Sequence, residues 1–319
     1  MKTGRIVRAS APGKAIITGE HFVVHGAYAL AAAIDRRVVV TVSKSSEFRG
    51  GAIVSGGKIS KIDQDDHVFP APKAVAKHLF SEMGLRNPEV LVEIESPIPA
   101  GSGLGSSAAV SVATAAALTK FLEYEADEAK LFEIAMAGEK KIHGSPSGID
   151  IEASLIGGVI LFSKGSGTKS IRLARPVKLL VAYSGRQRNT SELIRRASMQ
   201  KKAYPATWEK LALSASTFSL QAAAALANSD LPQLGAIMNM MQAALCWIGV
   251  SNPRLETMIE LALSKDCSHG AKITGAGGGG CIIALPRQGR SKQLLRQMVR
   301  DYPQSFLCTI PQVGLRWGS

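Results

Sequence analysis

Residues 89 to 96 read EVLVEIES, in which Val90, Val92 and Ile94 alternate with Leu91, Glu93 and Glu95. That period of two predicts a strand with one buried face. From Ser106 the period changes, because Ala108, Ala109, Val112, Ala116 and Phe121 recur at helical spacing, with Ser106 or Ser107 available as N-cap. Between strand and helix lies PIPAGSGLGSS, nearly devoid of side chains. A bare loop lets a ligand touch the backbone, and the helix behind it aims free N–H groups at the same place, a combination that suits a phosphate. The glycines are spaced GxGxG and no lysine follows the last of them, so this is not a Walker A loop. Taken alone, the segment is equally an ordinary tight loop before an alanine-rich helix.

The rest of the chain divides by the same patterns. Residues 5 to about 45 predict strands and turns: IVRAS, a turn at APGK, AIITGEHFVVHG, then RRVVVTVSK. Residues 43 to 72 are polar and glycine-containing, with weak strand signals, and read as a hairpin or lid. A second helix is expected near 127 to 143, followed by the loop GSPSGID and the apolar run GGVILF. The turn-rich SKGSGTKS precedes a fresh strand, VKLLVAYSG, which places a domain boundary between 1–175 and 176–319. Helices then dominate, near 189–203, 208–228, 231–247 and 253–264. AKITGAGGGGCIIAL reads strand, glycine turn, strand, and a helix near 291–301 and the strand SFLCTIPQV finish the chain. The fold class is two-domain α+β.

Composition narrows the function. The 319 residues are 46% hydrophobic and 20% charged, as in a globular protein. No run is long enough to cross a bilayer, and MKTGRIVRASAPG lacks an apolar targeting core, so no membrane partner and a cytoplasmic setting are expected. Cys246, Cys267, Cys281 and Cys308 are scattered without metal-ligand spacing. The net charge of +13 suits either nucleic acid or small anionic ligands. The densest basic segment, 287–300, sets Leu294, Leu295, Met298 and Val299 against Lys292, Arg296 and Arg300, the pattern of a solvated surface helix. No aromatic pattern interleaves the basic residues, and no nucleic-acid partner is expected.

Some residues break the rule of their surroundings. In the second helix Leu131, Ile134, Ala135, Gly138 and Ile142 form one apolar stripe, and Glu139 lies on it. A carboxylate there must reach solvent, pair with a lysine such as Lys140, or ligate a cation such as Mg²⁺. Asp150 stands directly before IEASLIGGVILF, where it is either a cap or a base able to take a proton from an alcohol. Lys14 follows a Pro-Gly pair inside an apolar stretch, where a buried ammonium requires an anion. Glu20, His21 and His25 complete the polar residues of that region.

APGKAIITGEHFVVHG, then PIPAGSGLGSSAAVSVA with GEKKIHGSPSGID, then KITGAGGGGCIIAL resemble, in order and spacing, the three signature regions of the GHMP kinases, and most of all the branch that phosphorylates mevalonate. The likeness runs from about Arg5 to about Leu285, with 44–75 and 200–250 contributing little. It implies an N-terminal domain like that of ribosomal protein S5 and a ferredoxin-like C-terminal domain, with the site in the cleft between them. It further implies that Pro99, Ala100, Gly101, Ser102, Gly103, Leu104, Gly105, Ser106 and Ser107 wrap the phosphates of ATP, and that Ser107 and Glu139 hold Mg²⁺. Asp150 would be the base and Lys14 its cationic neighbour. Glu20, His21, Thr190 and Ala276 match positions that contact mevalonate, the implied small-molecule partner. The resemblance is also compatible with a homodimer, and another small alcohol, such as a sugar or a phosphorylated mevalonate, is the alternative substrate. A basic nucleic-acid-binding protein on a kinase fold is the alternative outside the class.

Overall fold

The computed structural model describes residues 5–99, 101–186 and 190–318. Two long antiparallel strands, β1 (Ile6–Thr18) and β2 (Ala29–Lys44), form its backbone. The turn expected at APGK is absent. β1 runs through it, and the register with β2 shifts between Pro12 and Lys14. Proline has no N–H to give a ladder, so the strand accommodates it at an irregularity, and such irregularities re-aim the side chains beside them. The side chain re-aimed here is Lys14. GEHFVVHG is likewise not extended: Gly19 and His21 take φ of +91° and +61°, and Val23–His25 form one 3₁₀ turn.

β3 (Ala52–Ser55) and β4 (Lys58–Lys61) make the expected hairpin, and β5 (Val90–Glu95) the expected strand, with Val90, Val92 and Ile94 buried. Between them α1 (Pro70–Glu82) forms where the sequence reading assigns no element. Its prolines occupy the first turn, where no N–H is needed, and Val75, Ala76, Leu79 and Phe80 supply its buried face. α2 (Ser106–Phe121), α3 (Glu128–His143) and α4 (Ile149–Ile156) follow, then β6 (Val159–Ser163). β7 (Gly167–Ile171) occupies the stretch read as a turn-rich boundary, pairing with β6. The last strand, β12 (Arg316–Gly318), returns from the far end of the chain to pair with β1. The sheet order is β12-β1-β2-β5-β3-β4, with β6 also on β2. α2 packs against α1, α3, α4 and both long strands, and its buried positions lie all around it. Only small side chains allow a helix to sit so close to so many neighbours, which explains the alanines.

The second sheet, in order β11-β8-β10-β9, is made of β8 (Lys178–Tyr183), β9 (Ser268–Ile273), β10 (Cys281–Pro286) and β11 (Ser305–Thr309). Around it are α5 (Thr190–Ala203), α6 (Pro205–Ala227), α7 (Leu231–Trp247), α8 (Pro253–Leu263) and α9 (Ser291–Asp301). Residues of α6 and α7, among them Ala222, Leu226, Ile237 and Met238, share the core of the first sheet. Thr18 also donates to Ser219 of α6 at 2.9 Å. The two sheets are thus joined by packed helices as well as by chain. Among the described residues the cysteines form no disulfide, and no helix is long and apolar enough to cross a membrane.

Candidate active site

The glycine loop and the start of α2 have the conformation a phosphate cradle needs. Gly101, Gly103 and Gly105 have φ of +70°, +92° and +69°, a region closed to most side chains. The N-cap is Gly105 and not Ser106 or Ser107, and no side chain caps the helix. The left-handed backbone needed at that position selects glycine, and it leaves the first N–H groups of α2 for a ligand. The loop is held from beneath by Lys14, whose backbone N–H donates to Leu104 O at 2.8 Å and whose Nζ donates to Gly103 O at 3.3 Å. Ser102 is buried, and its Oγ has no hydrogen-bond partner among the described residues. Pro99 accepts from the Ser102 N–H at 3.3 Å, while Ala100 lies outside the described residues.

Lys14 is 3% exposed, and its Nζ lies 3.1 Å from Asp150 Oδ2. Asp150 sits in the first turn of α4, whose N-cap is Gly148, so it is not the cap itself. Two residues 136 positions apart in sequence therefore form an ion pair against the glycine loop. Glu139 is 2% exposed and ends the buried stripe of α3, because Ile142, placed on that stripe by periodicity, is 41% exposed. Its Oε2 lies 3.8 Å from His143 Nε2. The neighbouring Gly138 lets α3 meet α2: a Cβ there would overlap Ser111 Oγ, which donates to Ser107 O at 2.8 Å. Glu139 and Ser107 thus belong to the same helix junction at the loop. Among the described residues no three His, Cys, Asp or Glu side chains form a metal cluster. One buried carboxylate and one hydroxyl beside a phosphate cradle nevertheless fit Mg²⁺, which takes few protein ligands when phosphates supply the rest.

The second domain closes this site at three points. Lys272 of β9 donates to Glu20 Oε1 and to Ile273 O, with both charged side chains buried. His21 Nε2 is 2.9 Å from Ala276 O, and Thr274 Oγ1 accepts from Ile16 N at 2.7 Å. The glycine turn after β9 also lies on the glycine loop, since a Cβ on Gly280 would stand 2.6 Å from Ser102 O. Burial pushes the Glu20 carboxyl up and the Lys272 ammonium down, and their mutual attraction opposes both shifts.

A cavity of about 650 Å³ opens over these groups, lined by Lys14, Glu20, His21, Glu139, Asp150 and Ala276, all anticipated from sequence. It is also lined by residues that were not: Ile194, Ala197 and Lys201 of α5, and Trp208 of α6. Lys201 Nζ lies 3.3 Å from His25 Nδ1, and the His25 ring stands edge-on to Trp208. Burial first, then Lys201 and Lys164, lower the pKa of His25. Thr190 begins α5, but its side chain lies outside the described part of the structure. Lys272 carried the same signal as Lys14, a lysine in an apolar strand. For Lys201 and Trp208 no local signal existed, because only the packing of α5 and α6 brings them to the cavity.

Comparison with known proteins identifies the family. Residues 71–158 match the GHMP kinases N terminal domain and residues 222–304 the GHMP kinases C terminal domain. Residues 2–44 match the galactokinase galactose-binding signature. The chain belongs to the GHMP kinase family, and it is a kinase. Among its relatives, mevalonate kinase of Aeropyrum pernix is 34% identical over 98% of both chains. Mevalonate kinase of Archaeoglobus fulgidus is 40% identical over 87% of this chain and 91% of its own. Among solved structures, mevalonate kinase of L. major in complex with R-mevalonate superposes with a TM-score of 0.84 at 24% identity, covering 98% of this chain and 97% of that one. Lactococcus lactis galactokinase complexed with galactose superposes at 0.79 with 17% identity, over 99% and 96%.

Proposed function

We propose that this kinase transfers the γ-phosphoryl group of ATP to the 5-hydroxyl of (R)-mevalonate, giving 5-phosphomevalonate for isoprenoid synthesis. The observation that carries the reading is the Lys14–Asp150 contact of 3.1 Å set against the glycine loop. Phosphoryl transfer needs positioning and charge neutralisation more than covalent help. The loop from Pro99 to Ser107 and the N-terminus of α2 hold the phosphates. Asp150 accepts the proton of the attacking hydroxyl, and Lys14, anchored on the loop 3.1 Å from Asp150 Oδ2, orients that carboxyl group and faces the charge that develops on the phosphoryl group. Ser107 and Glu139 would hold Mg²⁺, which when bound neutralises charge on the β- and γ-phosphates. Glu20, His21, Thr190 and Ala276 would position the alcohol.

The cavity favours an anionic alcohol over a neutral one, because Lys201, 3.3 Å from His25 Nδ1 on its wall, brings a positive charge to it. The match of residues 2–44 to a galactose-binding signature supports a sugar as the second reading. Purified protein assayed with Mg·ATP against (R)-mevalonate, phosphomevalonate, galactose and homoserine separates them. Mevalonate-dependent ADP release with the phosphate found on the 5-oxygen by NMR is the expected result. Turnover of galactose alone would overturn the substrate and keep the chemistry. A reduced, cytoplasmic setting and a homodimer complete the reading, supported by the free cysteines and by the family.

A further inference from the structure

The cleft holds a second ion pair that phosphoryl transfer as described does not use. Lys272 is fully buried and Glu20 nearly so, and Lys272 Nζ binds Glu20 Oε1. Glu20 Oε2 is also buried and has no hydrogen-bond partner among the described residues. Glu20 and Lys14 line the same cavity, and the charge of Lys14 acts on Glu20 and on Lys272. The cleft thus contains two lysine–carboxylate pairs, Lys14 with Asp150 and Lys272 with Glu20. The other charged or titratable groups around the cavity are His21 beside Glu20, Glu139 and His143 on α3, and His25 with Lys201 on α5.

We propose that Lys272 is a positioning residue that acts through Glu20: by satisfying that carboxylate it leaves Lys14 committed to Asp150 and to the phosphate loop. A carboxylate buried without a cation must either recruit one or take a proton. Without Lys272, Lys14 is the remaining cation of the cavity whose charge acts on Glu20, and Oε2, buried without a hydrogen bond among the described residues, is where it would bind. Lys14 would then leave Asp150, and the base would lose its neighbour. At low pH the isolated Glu20 is protonated and releases Lys14, so the defect depends on pH. The inference deepens the kinase reading and rests on it.

The test is the pH profile of kcat at saturating substrates for wild type, K272M, E20Q/K272M and K272R. K272M is expected to lose at least ~10-fold in kcat at pH 8, with a loss that shrinks toward pH 6, giving a fall on the alkaline side that wild type lacks. E20Q/K272M, in which both charges are gone, is expected to lose that alkaline limb, so that its kcat no longer falls from pH 6 to pH 8, whatever its absolute value, with a raised KM for the alcohol. K272R restores the wild-type profile shape. A K272M profile of wild-type shape, or a double variant that keeps the alkaline fall of K272M, overturns the proposal. If K272M does not fold, K272Q, which keeps a hydrogen-bond donor to Glu20 without the charge, carries the same comparison. The variants are assayed on whichever alcohol wild type phosphorylates. Failure of wild type on mevalonate therefore counts against the substrate, while an unchanged profile counts against Lys272.

Discussion

At the scale of single residues the molecule is governed by charges that burial makes dependent on their partners. Asp150→Asn removes the proposed proton acceptor while Lys14 keeps its bond to Gly103 O, so kcat is expected to fall about 10²- to 10⁴-fold. Steady-state kinetics alongside circular dichroism checks this, and near-normal turnover in a folded variant removes Asp150 from the role of base. Away from the cleft, Lys73 at the start of α1 donates to Ser60 Oγ at 2.6 Å, to Gln64 O at 3.0 Å and to Asp66 Oδ1 at 2.5 Å. Those hydrogen bonds, Lys73 first and Ser60 next, hold the Asp66 carboxyl down at about 2. An unfolded aspartate titrates near ~3.9, so between these values the folded state binds fewer protons than the unfolded one. The stabilisation is complete above the unfolded value and disappears as pH falls toward 2. Asp66→Asn should therefore lower the melting temperature at pH 7 and make no difference near pH 2. A gap that persists unchanged to pH 2 would mean that the ion pair is not its source.

At the scale of elements, function depends on how closely helices approach. The glycine loop ends at the N-terminus of α2, and α3 carries Glu139 close to α2 because Gly138 has no side chain. Gly138→Ala would force α3 away from Ser111, at a cost of about 1–3 kcal/mol typical of overpacking. Glu139 would move with it. Urea unfolding should show the loss of stability, and the Mg²⁺ concentration needed for half-maximal activity should rise. A destabilised variant with an unchanged Mg²⁺ requirement would separate Glu139 from the metal. Elements with strong periodicity, such as β5, α3 and α7, were legible in the sequence almost to their ends. α1 was hidden by its two prolines, and β1 by the Pro-Gly pair it absorbs through a bulge.

At the scale of the molecule, a net charge of +13 surrounds a cleft suited to anions. Long-range attraction of that kind is screened over about 8–10 Å at physiological salt. kcat/KM for ATP should consequently decline as ionic strength is raised with potassium chloride, with kcat changing less. A KM indifferent to salt would confine recognition to contacts within the loop. The cleft also requires closure by two domains: Glu20 with Lys272, His21 with Ala276, and Ile16 with Thr274 all join the N-terminal motif to the third.

The sequence by itself determined the alternation of strands and helices, the glycine loop, and the misfit of Lys14, Glu139 and Asp150 with their neighbours. Each is a local conflict between a residue and its pattern, readable within one turn or strand. Which ions those residues meet was decided only in three dimensions. Lys14 and Asp150 are 136 residues apart and Glu20 and Lys272 are 252 apart, so no periodicity relates them. The partner of a buried charge is set by which elements pack together, and so is the wall of the cavity where α5 and α6 bring Lys201 and Trp208 to His25.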